Sequence, residues 1–176
     1  NGYDNQRAPS QTLHDYLLWQ LNLTPTSETD RAIAMAIIDA LDDDGYLTLS
    51  LEEILDSLGT DVKGDEADDE SAIGIDEVRA VLHIVQAMDP PGVAASDLRE
   101  CLLIQLKQLP ADVPWRQEAI TVVDKHLQAL ASHDYNQLIR QMRLSRDDLQ
   151  QVLNLIQSLN PRPGGQVQES QPEYII

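Results

Sequence analysis

DPPGVAASDLRECLLIQL, Asp89 to Leu106, separates one helix from the next and decides how the rest of the chain is read. The rings of Pro90 and Pro91 interrupt the backbone ladder, and a residue before a proline is pushed out of the α region, so the preceding helix must stop near Met88. A new helix is expected from about Ser96, a serviceable N-cap, with Asp97 in its first turn at the positive end of the dipole. Leu98, Cys101, Leu102, Leu106 and Leu109 repeat at helical spacing, while Leu103 and Ile104 point away from that face. A helix apolar on nearly all sides is a buried one. This helix therefore reads as a wall shared by two subdomains, and Asp89, Pro90, Pro91, Gly92, Leu98, Cys101 and Leu102 are the expected junction.

Working outward towards the N-terminus, Leu13, Tyr16, Leu17 and Leu21 mark a helix starting after Ser10. Leu18 and Trp19 fall outside that stripe, so they are either buried by a second neighbour or left for a partner. Pro25 to Ser27 open a second helix with Ile33, Ile37, Ile38 and Leu41 on its buried face and Gly45 as its stop. Ser50 with Glu53 forms a capping box, flanked by Leu49 and Ile54 at the staple positions, and opens a short helix ended by Gly59. Asp61 to Glu70 holds six carboxylates and one lysine with no apolar stripe, the composition of a solvated acidic loop. Ile75, Val78, Leu82 and Val85 carry a fourth helix up to the prolines.

Towards the C-terminus, Pro114 precedes a helix running through Ala119, Val123, Leu127 and Leu130. Asp134 with Gln137 opens a short helix, and Ser145 with Asp148 opens a longer one, stapled by Leu144 and Leu149 and ended by Asn160 and Pro161. The expected class is all-α, about eight helices in two small bundles. The expected division is 10–90 for a four-helix subdomain, 91–160 for a helical unit with a helix-turn-helix outline at its end, and 161–176 for a linker.

The chain has 176 residues and a formal charge of −18, from 30 acidic against 12 basic residues. Such a surface repels DNA and anionic membranes and favours a protein partner with basic patches. A single cysteine, Cys101, excludes an internal disulfide and suits a reducing compartment. No apolar run approaches the ~18 residues of a membrane span, and no secretory leader opens the chain, so a cytoplasmic protein is expected. The apolar ending at Tyr174 to Ile176 suggests a fragment.

Chemistry-bearing patterns are few. Asp42, Asp44 and Gly45 resemble part of a calcium loop, but Gly45 at position six would put Ala40 at one and Leu51 at the bidentate position twelve. Three aspartates after a helix C-terminus oppose its dipole, which a basic protein partner would relieve. His126 and His133 lack a zinc-ligand spacing, and no phosphate loop or nucleophile elbow is present. Neither a catalytic group nor a cofactor is expected. The Asp134 to Leu159 segment, with Arg140, Arg143 and Arg146, has the outline of a DNA-reading unit. Asp147 and Asp148, however, stand where its second helix would meet phosphate. A standalone helix-turn-helix DNA-binding regulator is the alternative that this outline leaves.

Four blocks carry a family resemblance: LHDYLLWQL at Leu13 to Leu21, DDDGYL at Asp42 to Leu47, the Asp89 to Leu106 stretch, and LNPRPG at Leu159 to Gly164. Together and in this order they resemble the core-binding region of sigma-54 (RpoN-type) transcription initiation factors. Ser96 departs from the pattern, standing where a basic residue is expected. The resemblance implies docking on core RNA polymerase, chiefly its β and β′ subunits, with Leu18, Trp19, Asp42, Asp43, Asp44 and Tyr46 as the candidate contacts. It also implies that promoter DNA and an AAA+ activator ATPase are engaged by regions outside this stretch, with no membrane and no enzymatic activity.

Overall fold

The computed structural model describes residues 12–62 and 73–165. Nine α-helices, a short helical stretch at 163–165 and no strand are found among them. The chain divides into two compact units, residues 1–94 with 162–176, and residues 95–161.

The first unit contains α1 (Leu13–Leu23), α2 (Glu28–Asp39), α3 (Leu51–Val62) and α4 (Ile75–Gln86). Its starts are written locally. Thr12 and Asp15 close a full capping box on α1, Ser27 caps α2 through the Asp30 amide, and Ser50 and Glu53 make both arms of the box on α3. Leu17, Leu21, Ile33, Ile37, Ile38, Ile54, Val78 and Val85 are fully buried in one core, which Val93 and Ala94 complete after the prolines. Burying each such side chain is worth roughly 1.5–3 kcal/mol before the entropy of ordering it.

Several expectations shift. Thr12, not Ser10, starts the first helix. α2 stops at Asp39, so Gly45 is not its end. The last turn is instead satisfied by Thr48, whose amide and hydroxyl both donate to the Ala40 carbonyl at 3.0 and 2.6 Å. Leu41 and Leu47 then form an isolated antiparallel bridge around a tight turn, with Gly45 at φ +94°. Gly59 does not end α3, which runs on to Val62; one glycine costs only about 1 kcal/mol in a helix interior. Of the acidic stretch, Asp61 lies in α3 and residues 63–70 lie outside the described residues.

The second unit contains α5 (Leu98–Gln108), α6 (Arg116–Lys125), α7 (Leu127–Ala131), α8 (Tyr135–Met142) and α9 (Arg146–Gln157). Its core gathers Leu102, Leu103, Leu106, Val122, Val123, Leu138, Leu149, Val152 and Ile156. The N-cap of α5 is Asp97, which accepts from the Glu100 amide at 2.8 Å, one residue later than Ser96. Leu98, expected on the buried face, is 42% exposed, whereas Leu103, expected to point away, is buried beside Cys101 and Leu102. The helix expected from Pro114 through Leu130 is broken at His126 (φ −131°), which ends α6 and begins α7. Arg99 pairs with Asp124 on α6.

Candidate functional site

α1 carries two stripes. Leu13, Leu17 and Leu21 enter the core, and Leu18 packs half-buried against it. Tyr16, Trp19, Gln20 and Leu23, spaced i, i+3, i+4 and i+7, form a second stripe. Trp19 is 54% exposed and Leu23 66%. The described residues thus leave more than half of the Trp19 side chain open. Its ring stacks on that of Tyr16, with centroids 6.1 Å apart.

The same stripe is bolted to the proline segment. The Gln20 side-chain amide donates to the Asp89 carbonyl at 2.6 Å, and its oxygen accepts from the Asp89 amide at 2.9 Å. Tyr16 donates its hydroxyl to the Asp89 carboxylate at 2.7 Å. That hydrogen bond, with some burial and the nearby negative charge, holds the Tyr16 phenol above its ordinary range. A residue before proline is extended, so its amide and carbonyl are not spent on a helix ladder. A glutamine with one donor end and one acceptor end matches both. The Asp89–Pro90 bond is cis.

Asp42, Asp43, Asp44 and Tyr46 stand in the turn around Gly45, with all three aspartates exposed and Tyr46 half-buried. α2 ends at Asp39 with Ala40 as its C-cap, so they stand in the turn beyond the helix end that the dipole argument set them against. The Asp42 carboxylate accepts from the Tyr46 amide at 2.9 Å, and the Asp42 amide donates to the Tyr46 carbonyl. The turn is held from outside by two further blocks. Ala94 donates its amide to the Gly45 carbonyl at 2.8 Å, and Gly164 donates its own to the Asp44 carbonyl at 2.8 Å. Gly164 lies so close that a Cβ there would sit 2.2 Å from the Asp43 carbonyl oxygen. Asp42 to Leu47, Asp89 to Ala94 and Arg162 to Gly164, separated by long stretches of sequence, thus meet at one turn, and α1 grips the second of them.

In the second unit Gln105, almost fully buried, repeats the device. Its amide donates to the Asn160 carbonyl at 2.7 Å and its oxygen accepts from the Asn160 amide at 2.9 Å, again on the residue before a proline. Cys101 lies buried alongside, with Sγ 3.3 Å from the Gln105 nitrogen. The helix-turn-helix outline is present as α8 and α9, joined through Arg143 in the left-handed region (φ 55°). Asp134 caps α8 through the Gln137 amide, and Ser145 caps α9 through the Asp148 amide. Asp134 donates its own amide to the Ala129 carbonyl, so the reciprocal arm of a capping box is not made. Arg140, Arg143 and Arg146 are all exposed. His133 sits 2.8 Å from the Tyr135 hydroxyl through Nδ1. Among the described residues no three His, Cys, Asp or Glu side chains gather to hold a metal ion, and no described helix is long and apolar enough to cross a membrane.

Sequence reasoning singled out neither glutamine nor Gly164. A signal existed for the first pair: a glutamine one residue before a core leucine, in two helices, each with an Asx-Pro step elsewhere in the chain. Nothing local marks Gly164, because the backbone it nearly touches is over a hundred residues away.

The chain matches the family model described as the sigma-54 factor, core binding domain, over residues 2–176. It is 53% identical over 171 residues to the RNA polymerase sigma-54 factor of Escherichia coli (strain K12), covering 97% of this chain and 34% of that protein. The corresponding factor of Pseudomonas aeruginosa is 49% identical over 169 residues, 96% of this chain and 32% of the relative. That of Shewanella violacea is 44% identical over 171 residues, 97% and 33% respectively. The chain thus spans about a third of the length of these relatives. With four sequence blocks assembled by two glutamine brackets and one glycine-lined turn, and with a family match along almost its whole length, the chain belongs to the sigma-54 factor family as its core binding domain.

Proposed function

We propose that this chain docks a sigma-54-type initiation factor on core RNA polymerase, with the β and β′ subunits as partners, and that the first unit carries the principal contact. On this reading the two compact units are subdomains of one core-binding region. Promoter DNA and an AAA+ activator ATPase are engaged by other parts of the factor. The chain itself catalyses nothing and works in the cytoplasm, where its lone cysteine stays reduced.

The observation that carries this reading is Trp19, a large aromatic side chain more than half exposed on a helix that cannot move freely. α1 is capped at Thr12 and bracketed to Asp89 through Gln20, so its outer stripe is held ready for a partner. Tryptophan on a pre-organised surface is the usual kind of interface hot spot. Leu18, half-buried against the core, supports the helix rather than offering itself. Asp42, Asp43 and Asp44 add exposed charge to a unit that is acidic throughout, and Tyr46 braces their turn. Charge of this kind speeds encounter with a basic surface more than it tightens the complex.

The test is binding to immobilised core polymerase. The wild-type chain is expected to bind, and Trp19→Ala to dissociate faster with an affinity loss of ~2 kcal/mol or more, while its melting temperature stays close to wild type. A chain that does not bind core polymerase overturns the reading. A Trp19→Ala variant that binds normally moves the anchor elsewhere.

A further inference from the structure

The charge of the chain is not spread evenly. Residues 95–161 hold eight acidic and seven basic side chains, a net −1, which leaves −17 of the total −18 on the first unit. Within that unit the Trp19 surface has a carboxylate on each flank. Side chains of an α-helix lean towards its N-terminus, so the Trp19 indole lies over the turn that carries Asp15 and Tyr16. Its stacking on the Tyr16 ring, with the two planes 19° apart, places it there. Asp15 is exposed one turn before Trp19. Asp89, also exposed, stands at the far end of the Tyr16 ring, where its carboxylate accepts the phenol hydroxyl.

Neither carboxylate is matched by a cation. α1 contains no lysine or arginine, and no ion pair among the described residues reaches Asp15 or Asp89. Arg31 meets α1 at Asn22, beyond Trp19 on the side away from which the indole leans. Asp15 also answers the positive end of α1 through the capping box, so Asp89 is the stronger acceptor of the two. A guanidinium fits an aromatic face and a carboxylate beside it at the same time. It is planar, so it stacks on a ring, and its N–H groups lie in its plane, aimed at acceptors beside that ring. An ammonium has no such plane, and an apolar side chain would leave the carboxylates unmatched.

We propose that the Tyr16–Trp19 platform receives an arginine side chain of the docking partner, stacked on the indole, with Asp89 accepting from its fork and Asp15 adding attraction from the other flank. This rests on the docking reading above and specifies what Trp19 meets there, a guanidinium and not an apolar socket.

The test follows the indole N–H resonances of the two tryptophans, Trp19 and Trp115, in the whole chain labelled with nitrogen-15, as a capped tripeptide with arginine between two glycines is added. The Trp19 resonance and the backbone amides of Tyr16 and Asp89 are expected to move, while Trp115 in the second unit stays as the internal control. The matching lysine tripeptide should bind about threefold more weakly, the scale of an exposed cation–aromatic contact. The arginine tripeptide should lose about as much on Asp89→Asn, whose side-chain oxygen still accepts from Tyr16 and keeps the platform in place. Equal binding of the two tripeptides, or an Asp89→Asn chain that binds as wild type does, overturns the proposal and reduces the effect to the general field of an acidic unit. Core polymerase supplies the second arm. Trp19→Phe should keep more affinity than Trp19→Leu, because only an aromatic face attracts a cation. Leucine doing as well as phenylalanine overturns the arginine and leaves the docking reading intact, whereas a wild-type chain that does not bind polymerase overturns both.

Discussion

Gln20 in the first unit and Gln105 in the second make the same pair of hydrogen bonds, to the amide and carbonyl of the residue before a proline, at 2.6 and 2.9 Å in one case and 2.7 and 2.9 Å in the other. Their surroundings differ. Gln20 is half-buried and its target Asp89 is exposed, whereas Gln105 is 6% exposed. One device therefore serves two purposes. At the surface it fixes the orientation of a helix whose outer stripe bears Trp19, and in the second unit it ties a partly buried backbone step to an almost fully buried side chain. The charge follows a similar division, with −17 on the unit that presents the exposed tryptophan and −1 on the unit with the buried bracket.

The largest effect that would sharpen this contrast is expected at Gly164. Its missing Cβ leaves room for the Asp43 and Asp44 backbone, which unlike a side-chain tip cannot swing aside. Gly164→Ala should cost ~2–4 kcal/mol or release residues 162–165 from the Gly45 turn. Hydrogen exchange would read either outcome as lost protection in the first unit, with α5 to α9 unaffected. Protection lost equally in both units would mean that the turn stabilises more than the unit it belongs to.

Next come the glutamines. Gln105→Ala removes the bracket from the partly buried amide and carbonyl of Asn160 and empties an almost fully buried side-chain site, so a loss of ~1–3 kcal/mol is expected by denaturant unfolding. Gln20→Ala frees the same two groups at Asp89 where water replaces them, and less than about 1 kcal/mol should be lost. The comparison breaks if the two losses are equal. Polymerase affinity should reverse the order, with Gln20→Ala the more harmful, because it loosens the helix that holds Trp19.

Smaller again is the effect of the aspartates. Replacing Asp42, Asp43 and Asp44 together with asparagine should change stability by no more than about 0.5 kcal/mol, since asparagine retains the acceptor that Asp42 offers to the Tyr46 amide. Association with core polymerase should slow and lose part of its salt dependence. A change confined to the dissociation rate would show that these charges make a close contact and do not act by steering.

Helix identity and class were legible because capping and periodicity are local. Ser27, Ser50, Asp134 and Ser145 each announce a helix start that the structure makes, and the apolar repeats of α2, α4 and α9 point where the sequence says. The misplaced boundaries have physical causes. Gly59 looked like a stop but sits inside α3, because tertiary burial of Ile54 and Leu58 outweighs one glycine. His126 breaks a helix after Thr121, Val122, Val123 and Asp124, residues of modest helix propensity, and no glycine or proline there signals the stop. The site was half legible. Trp19 stood out because it left the core stripe, but the brackets at Asp89 and Asn160 join residues 69 and 55 positions apart, and pairing over such distances leaves no local trace.

The smallest effect separates the brackets by pH. The first bracket is backed by a hydrogen bond that depends on a phenol proton, the Tyr16 hydroxyl that donates to the Asp89 carboxylate at 2.7 Å. That bond exists while the phenol is protonated; a phenolate would face a carboxylate with no proton between them. The folded Tyr16 therefore titrates above the ordinary tyrosine value of about 10, in the direction set first by this hydrogen bond. A group raised in the folded state holds more protons folded than unfolded between the two values, so stability falls with rising pH in that window. The contribution of the bond should be complete below pH ~10 and disappear as pH rises through the higher folded value. Tyr16→Phe should accordingly cost under about 1 kcal/mol at neutral pH, because the exposed carboxylate turns to water. The difference between wild type and variant should then vanish above that window. Exchange protection of the Asn160 amide, whose partner does not titrate, should show no matching step. A carbon-13 titration of the Tyr16 ring that gives a value at or below that of an exposed tyrosine would remove the bond from the account and leave Gln20 alone to hold α1 to the proline segment.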